Sequence, residues 1–324
     1  MKPTLVCAAL TAACFAAPAL AQSSVNVYGR LNVTVESQKN GDLRDDGVFN
    51  NRSHIGFKGV EDLGGGLKAG FVLENEFNPG TGSQSSSQFW SGQAEVRLAS
   101  RYGMVRLGRF NPESYYAATD LTSLHNHNDG SSADRFYFDP NMQLNGVSNK
   151  IAYRTPTMLG GLWIEGSVQE AGLIGERGYD LAMQYVRGDL IVGGGYSEAG
   201  DFSQFSISAQ YKVMPNLLLG GYFQRADIDQ QGNYRRYAGK RNSLRAAVMY
   251  TRGATELHAN FGYADNIGGL DKTNSYQYTL AVNQNLSKRT KVYAFYTHVG
   301  NDDILQVYTR SEFSSVALGV RHAF

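Results

Sequence analysis

The sequence predicts an all-β fold: a transmembrane antiparallel β-barrel of 16 strands with one long loop folded into its lumen. Apolar and polar residues alternate with a period of two in segments of about ten residues, the length that a tilted strand needs to cross a bilayer. Short turns and longer polar stretches alternate along the chain, which is typical of the hairpins of membrane barrels. The 37 Gly, 20 Tyr and 16 Phe with only 7 Pro suit such a sheet with aromatic belts.

The first residues predict export. Lys2 precedes an apolar stretch at residues 5–20, and Ala19-Leu20-Ala21 matches the small-x-small rule for cleavage. We therefore expect residues 1–21 to be a cleaved signal peptide. Residues 22–324 are expected to form a single barrel domain.

Composition excludes several classes of protein. The 30 basic residues include Lys2 and oppose 29 acidic residues, so the mature chain has no net charge and no nucleic-acid partner is predicted. No apolar run after residue 21 approaches 18 residues, which excludes helical membrane spans. Both cysteines, Cys7 and Cys14, lie in the cleaved segment, so neither a disulfide nor a thiolate-bound metal is expected. No cofactor is predicted, because no phosphate-binding glycine loop is present.

The first strand shows the alternation that defines the barrel. Its apolar face is formed by Val25, Val27, Leu31, Val33 and Val35, and its polar face includes Asn26, Arg30, Thr34 and Glu36. An even number of strands places both termini on the periplasmic side. Closure of the sheet leaves no unpaired backbone edge in lipid.

Short turns are predicted at residues 61–66, 100–103, 156–161, 214–216 and 287–290. The longer polar stretches lie at residues 38–52, 78–88, 110–149, 172–178, 198–201, 227–241, 265–274 and 298–313. A barrel of this width is too large for side chains to fill, so a hydrated lumen is expected. Residues 110–149 form by far the longest stretch, which we interpret as a constriction loop that sets the narrowest point.

Several motifs, in order along the chain, are shared with a known family. They are Val27-Tyr28-Gly29-Arg30-Leu31, Ser53-His54-Ile55-Gly56-Phe57-Lys58-Gly59, Glu61-Asp62-Leu63-Gly64, Leu107-Gly108-Arg109, Asn285-Leu286-Ser287-Lys288-Arg289-Thr290 and Gly319-Val320-Arg321-His322-Ala323-Phe324. The chain thereby resembles the general, non-specific porins of Gram-negative bacteria, of the beta-proteobacterial type. The resemblance implies a homotrimer of channels for passive diffusion, set in outer-membrane lipid and lipopolysaccharide. It also implies that Phe324 ends a signal for the barrel-assembly machinery.

A pore that filters ions needs opposite charges on facing walls. Spacing along the polar faces selects basic candidates for the constriction wall: Arg30, Arg52, His54, Lys58, Arg106 and Arg109. The acidic candidates belong to the long loop: Glu113, Asp120, Asp129, Asp134 and Asp139. The alternative interpretation of each is an ordinary solvated loop charge with no role in the constriction. Arg30 is expected in the lumen, because an arginine facing lipid at mid-bilayer costs roughly 2–4 kcal/mol.

The resemblance also indicates departures from the usual pattern. His54 stands where many relatives carry arginine, and Ser91 and Gly146 fall near positions that are often arginine. The pore wall is therefore expected to carry fewer basic residues than in many relatives. Only a slight preference for anions is expected. A channel that prefers small anionic or aromatic solutes is the alternative.

Aromatic residues of the long loop admit two interpretations. Tyr115, Tyr116, Phe136, Tyr137 and Phe138 either form a sliding surface for solutes or pack the loop against the wall, and we favour packing. Outside the loop, we interpret four tyrosines as part of the aromatic girdle at the membrane–water interface: Tyr276, Tyr278, Tyr293 and Tyr296.

Two further patterns point to other classes of site. His125-Asn126-His127 is a weak metal pattern, because no third ligand stands at a fixed spacing. Only His258 and His322 lie well inside strands, and neither has a serine partner by spacing. An enzyme barrel is therefore not expected.

Overall fold

A computed structural model describes residues 24–122, 130–172, 174–228, 238–301 and 312–324. The residues form one closed antiparallel sheet with two short helical segments. Closure is made by the first and last strands, whose register runs from Arg30 opposite Ala323 to Asn40 opposite Phe313. The all-β barrel predicted from the alternation is confirmed.

Seventeen strand segments make up the sheet. They are β1 (Ser24–Asn40), β2 (Leu43–Asn50), β3 (Ser53–Gly64), β4 (Leu67–Phe77), β5 (Gln93–Ser100), β6 (Gly103–Arg109), β7 (Lys150–Arg154), β8 (Leu162–Gln169), β9 (Gly178–Arg187), β10 (Leu190–Ala199), β11 (Phe202–Met214), β12 (Leu217–Ile228), β13 (Gly239–Arg252), β14 (Thr255–Ala264), β15 (Ser275–Asn285), β16 (Thr290–Asn301) and β17 (Phe313–Ala323).

The segments β2 and β3 together make one strand of the barrel. Both pair with β1: β2 with its half from Val33 to Asn40, and β3 with its half from Ser24 to Arg30. Asn51 and Arg52 interrupt the strand between them, and Arg52 has a φ of 56°, a conformation uncommon for a residue other than glycine. The sheet therefore closes with 16 strands, as predicted.

The two faces of the sheet differ sharply. In β1 the apolar Val35 is 63% exposed, whereas its neighbours Thr34 and Glu36 are 1% and 2% exposed. Exposed apolar side chains recur along the outer face of the other strands, as a lipid-facing surface requires. The girdle interpretation is wrong for Tyr293, which lies on the inner face and donates a hydrogen bond to Asn32 Oδ1 at 2.6 Å.

All five short turns lie where the sequence predicts them. Two of the longer stretches differ from the prediction. Residues 38–52 are mostly a hairpin of β1 and β2, and residues 198–201 are a tight turn between β10 and β11. These two stretches are polar because the side chains of their strands contact water instead of lipid, and their composition therefore resembles that of a loop. Among the described residues, no helix is both long and apolar enough to cross a membrane.

The long loop, residues 110–149, contains the helix α1 (Glu113–Thr119) and a single helical turn at Asn141–Asn145. Helix α1 contacts β9, β10 and β11, and the helical turn contacts β9 and β10. The wall residues that bond to the loop belong to the buried, polar face of these strands. The described part of the loop therefore lies against the inner wall.

Candidate functional site

Helix α1 is fixed to the wall by a carboxylate from β9. Pro112 precedes the helix and provides no side-chain cap. Asp180 supplies one instead: its Oδ1 accepts hydrogen bonds from the N–H groups of Glu113 at 3.1 Å and Ser114 at 3.4 Å. Its other oxygen accepts a hydrogen bond from the Ser114 hydroxyl. A negative charge also suits the positive end of a helix, so Asp180 anchors the start of the loop.

Wall side chains also satisfy the backbone of the loop, which needs hydrogen-bond partners wherever it is buried. Gln224 bonds Phe138 in both directions, with Oε1 accepting from its N–H at 2.9 Å and Nε2 donating to its carbonyl at 2.8 Å. Gln277 accepts from Arg135 N–H at 3.2 Å and donates to the Ala133 carbonyl at 2.9 Å. The Ser208 hydroxyl donates to the Ala117 carbonyl at 2.6 Å.

Glycines on the same part of the wall let the loop backbone come close. A Cβ at Gly193 would overlap the Ala117 carbonyl oxygen, and one at Gly220 would overlap that of Leu121. Each obstacle is backbone and not a movable side-chain end. The loop consequently sits on wall positions that carry no side chain, next to neutral serine and glutamine side chains.

The loop aromatics pack against the wall, as the favoured interpretation expects. Phe136, Tyr137 and Phe138 are all buried. Phe136 clusters with wall residues of β14, β16 and β17, and Phe138 clusters with Phe202 of β11 and residues of β12. The Tyr137 hydroxyl lies 3.0 Å from Ser206 Oγ. Tyr115 and Tyr116 are only partly buried.

On the other side of the loop, a cavity of about 330 Å³ separates it from the charged wall. We call it the wall–loop cavity. Arg52 between β2 and β3, the strands β4 to β6, Gly92 before β5 and the start of the long loop line it, with both signs of charge. The lining residues are Arg52, Glu74, Gly92, Gln93, Arg97, Arg106, Phe110, Asn111, Glu113, Tyr116 and Asp120.

Arg106 is the centre of the ion pairs behind this cavity. Its Nε lies 2.8 Å from Glu95 Oε2, and its Nη1 lies 2.5 Å from Glu113 Oε1 and 2.9 Å from Glu165 Oε1. Arg154 joins the same network at 2.9 Å from Glu113 and 2.7 Å from Glu165. Since the Arg106 side chain is only 5% exposed, it holds the loop to the wall more than it presents charge to water.

Arg52, in the interruption between β2 and β3, also contacts the loop. Its Nε lies 2.6 Å from Glu76 Oε1, and its side chain also bonds the hydroxyl of Tyr116. Asn111 Nδ2 donates to the same hydroxyl at 2.7 Å. Burial raises the pKa of Tyr116, and the contacts with Arg52 and Asn111 act in the opposite direction. Tyr116 and Glu113 are thus loop residues that contact the charged wall.

The other basic candidates do not line the cavity. Arg30 Nη2 donates to the Arg52 carbonyl at 3.0 Å. His54 lies beside it, with Nε2 3.7 Å from Glu74 Oε2. Lys58 lies over the ring of Tyr28 at 4.7 Å. Arg109 bonds the Ser91 carbonyl at 3.2 Å and Ser148 Oγ at 2.9 Å, so it secures the root of the loop.

Two of the described acidic candidates line the cavity, and two others contact side chains of the inner wall. Glu113 and Asp120 line the cavity. Asp134 Oδ1 lies 3.0 Å from Arg245 Nη2, and the carboxylate also accepts from the Tyr222 hydroxyl. Asp139 is buried against Ser197 Oγ at 3.0 Å, and burial raises its pKa, although Ser197 and the charge of Lys150 oppose that shift. Asp129 lies outside the described residues, as does the histidine pair of residues 125–127.

Sequence reasoning missed the acidic half of the charged wall. Glu95 lies between Arg97 and Arg106, which are opposite each other in β5 and β6. Glu74 and Glu76 occupy the polar face of β4 beside His54 and Arg52. The alternation already placed these glutamates on polar faces. Their pairing with arginines depends on register between strands, which the sequence does not display.

Known proteins resemble the chain over almost its whole length. A family model described as Gram-negative porin matches residues 7–304. Outer membrane porin protein 32 of Delftia acidovorans is 28% identical, and major outer membrane protein P.IB of Neisseria meningitidis is 26% identical, each match covering 100% of both chains. The solved structure of an anion-selective porin from Comamonas acidovorans covers 93% of this chain and 100% of its own, with a TM-score of 0.74 and 26% identity.

Proposed function

Because the chain belongs to the family of Gram-negative porins, we propose that it is a water-filled channel for passive diffusion of ions and small hydrophilic solutes across the outer membrane. The curated relatives are named as outer-membrane proteins. A closed barrel with an apolar exterior and a polar interior suits that location. Such a channel needs width and a suitable field, and it needs no catalyst.

The wall–loop cavity is the observation that carries the proposed route. Between its contacts with Asp180 of β9 and Arg245 of β13, the loop covers a neutral part of the inner wall, formed by glycine, serine and glutamine of β10 to β12. The charged side, formed by Arg52 and by residues of β4 to β6, faces the cavity. We infer that solutes pass between the loop and this charged wall. Residues 110–149 would then form the constriction and set the size limit.

Planar-bilayer recording of the purified protein tests the channel. Stepwise increases of current in potassium chloride are expected, and grouped steps of three would support a homotrimer. Heat-denatured protein in the same detergent provides the control. A folded barrel that gave no conductance would contradict the proposal.

Ion selectivity is expected to be weak. Arg52 and Arg97 are each paired with a glutamate of the same wall, and Arg106 with three glutamates. The similar structure from Comamonas acidovorans is that of an anion-selective porin, which favours the alternative of a channel that prefers small anionic solutes. Reversal potential in a salt gradient separates these two proposals.

Arg30→Glu is expected to shift the reversal potential toward cation preference, because it reverses a charge beside Arg52. Arg225→Glu provides the control, since Arg225 is exposed and contacts Asn242 at 3.3 Å. An unchanged reversal potential in the Arg30 variant would place Arg30 away from the narrow region.

The remaining assignments rest on the family and the sequence. We propose a homotrimer in outer-membrane lipid and lipopolysaccharide, a signal peptide cleaved after residue 21, and Phe324 as the end of the assembly signal. The proposal contains no enzymatic step. His258 contacts Asn283 and Glu256, and His322 contacts Thr290. The prediction that only these two histidines lie inside strands is wrong, because His54 lies in β3 and His298 in β16.

A further inference from the structure

A second charged cavity, of about 570 Å³, lies at the end of the barrel that carries the C-terminus. We call it the rim pocket. The turn between β15 and β16 and the ends of β14 and β17 line it. It contains four basic side chains and one carboxylate: Lys288, Arg289, Lys291, Arg321 and Glu256. Short turns face the periplasm in outer-membrane barrels, so this pocket belongs to the periplasmic mouth.

Two of the basic residues form an unfavourable pair within the sheet. Lys291 and Arg321 are directly opposite each other in β16 and β17. Like charges at such positions destabilise a sheet. Glu256 Oε2 lies 3.5 Å from Lys291 Nζ, but the Glu256 carboxylate also accepts hydrogen bonds from Asn283 at 3.0 Å and Asn285 at 2.8 Å. The lining of the pocket therefore contains four basic side chains but one carboxylate, which Asn283, Asn285 and His258 also contact.

The turn presents its basic residues on a fixed backbone. The N–H groups of Leu286 and Ser287 donate to the Thr290 carbonyl at 2.9 and 3.1 Å. Ser287 Oγ accepts from the N–H groups of Arg289 and Thr290 at 3.1 and 3.0 Å. Lys288 and Arg289 are exposed at its tip and form no ion pair within the described ranges of the chain. A preorganised turn loses little conformational entropy when it binds a ligand.

From this arrangement we propose that the rim pocket binds polyvalent oxyanions at the periplasmic mouth. Carboxylate and phosphate groups share the chemistry that guanidinium and ammonium groups recognise. An anion with several charged oxygens contacts the turn tip and the Lys291–Arg321 pair together, which offsets their repulsion. This site is separate from the wall–loop cavity, and it would retain anions that have entered the mouth from the periplasm.

Side-specific block of the channel tests the proposal. Citrate or inorganic pyrophosphate is added to one chamber of a planar bilayer containing the wild-type protein, and then to the other. Block is expected at about ten-fold lower concentration from one side, which corresponds to about 1.4 kcal/mol. Block by citrate alone, by pyrophosphate alone or by both supports the site and identifies the oxyanion that it accepts.

The double variant Lys288→Gln with Arg289→Gln is expected to abolish the difference between sides and to retain conductance in potassium chloride. Lys212→Gln, near the turn between β11 and β12, provides a matched control that keeps the difference. Equal block from both sides, or a difference that survives the double variant, would overturn the rim pocket. Absence of any current in plain salt would instead contradict the channel itself.

Discussion

Gly220→Phe is expected to reduce the single-channel conductance by roughly half or more, since conductance follows the width of the narrowest point. Gly220 lies on the inner face of β12 beneath the long loop. A Cβ there would overlap the Leu121 carbonyl oxygen and would lie 3.6 Å from Thr122 Cα. A ring at this position leaves the loop no space on the wall, so the loop must move toward Arg52. Single-channel recording measures the effect.

Gly166→Phe is the control for Gly220→Phe. It introduces the same ring into β8, where a Cβ would meet no atom within 4 Å. This variant should fold and conduct like the wild type. If Gly220→Phe folded normally and conducted as well as Gly166→Phe, the loop would not border the narrow region.

Arg106→Met is expected to destabilise the barrel by roughly 3 kcal/mol, because removing one partner of a buried ionic network leaves the others uncompensated. Glu95 and Glu165 have side chains that are 0% and 1% exposed, so each would lose one of its two arginine partners without gaining contact with water. The loop should also loosen, since Glu113 loses one of its two ion pairs with the wall and keeps only the pair with Arg154. The temperature of unfolding in detergent and the noise of the open-channel current are the two measurements.

Two further variants make the Arg106 result interpretable. Arg225→Met removes an exposed arginine from β12 and should change the stability by less than about 0.5 kcal/mol. Combining Arg106→Met with Glu95→Gln and Glu165→Gln should recover part of the lost stability, because the uncompensated charges are removed. If the single variant Arg106→Met had the same unfolding temperature and the same open-channel current noise as the wild type, Arg106 would not anchor the loop to the wall.

Alternation of two residues was enough to predict the barrel, because the lipid-facing and water-facing sides impose it on every strand. The same alternation also shows which residues of one strand point to the same face, and the girdle interpretation did not use it. Tyr293 and Tyr296 are three positions apart in β16, and residues separated by an odd number point to opposite faces. Strict parity would have placed Tyr293 in the interior, where it bonds Asn32.

The individual contacts of the candidate site were much harder to predict. Arg52 and Arg106 line the wall–loop cavity with Glu113 and Asp120, whereas Arg30, His54, Lys58 and Arg109 lie outside it. Arg30, Arg52, His54, Lys58 and Arg106 satisfied the same criterion of spacing along or just above a polar face, and Arg109 was selected because it opens the long loop. Spacing within one strand does not reveal how neighbouring strands are aligned, and that alignment brings Glu95 between Arg97 and Arg106.

The sequence by itself determined the barrel, its strand number, the apolar exterior and the position of the longest loop, since each follows from local periodicity and turn composition. Only the tertiary structure decided which wall that loop covers and which charges remain beside the cavity. Closure of the sheet brings Gly193, Gly220 and Gln224 against a loop that is distant in the chain. Those contacts depend on the register of every intervening strand, and no local pattern encodes that register.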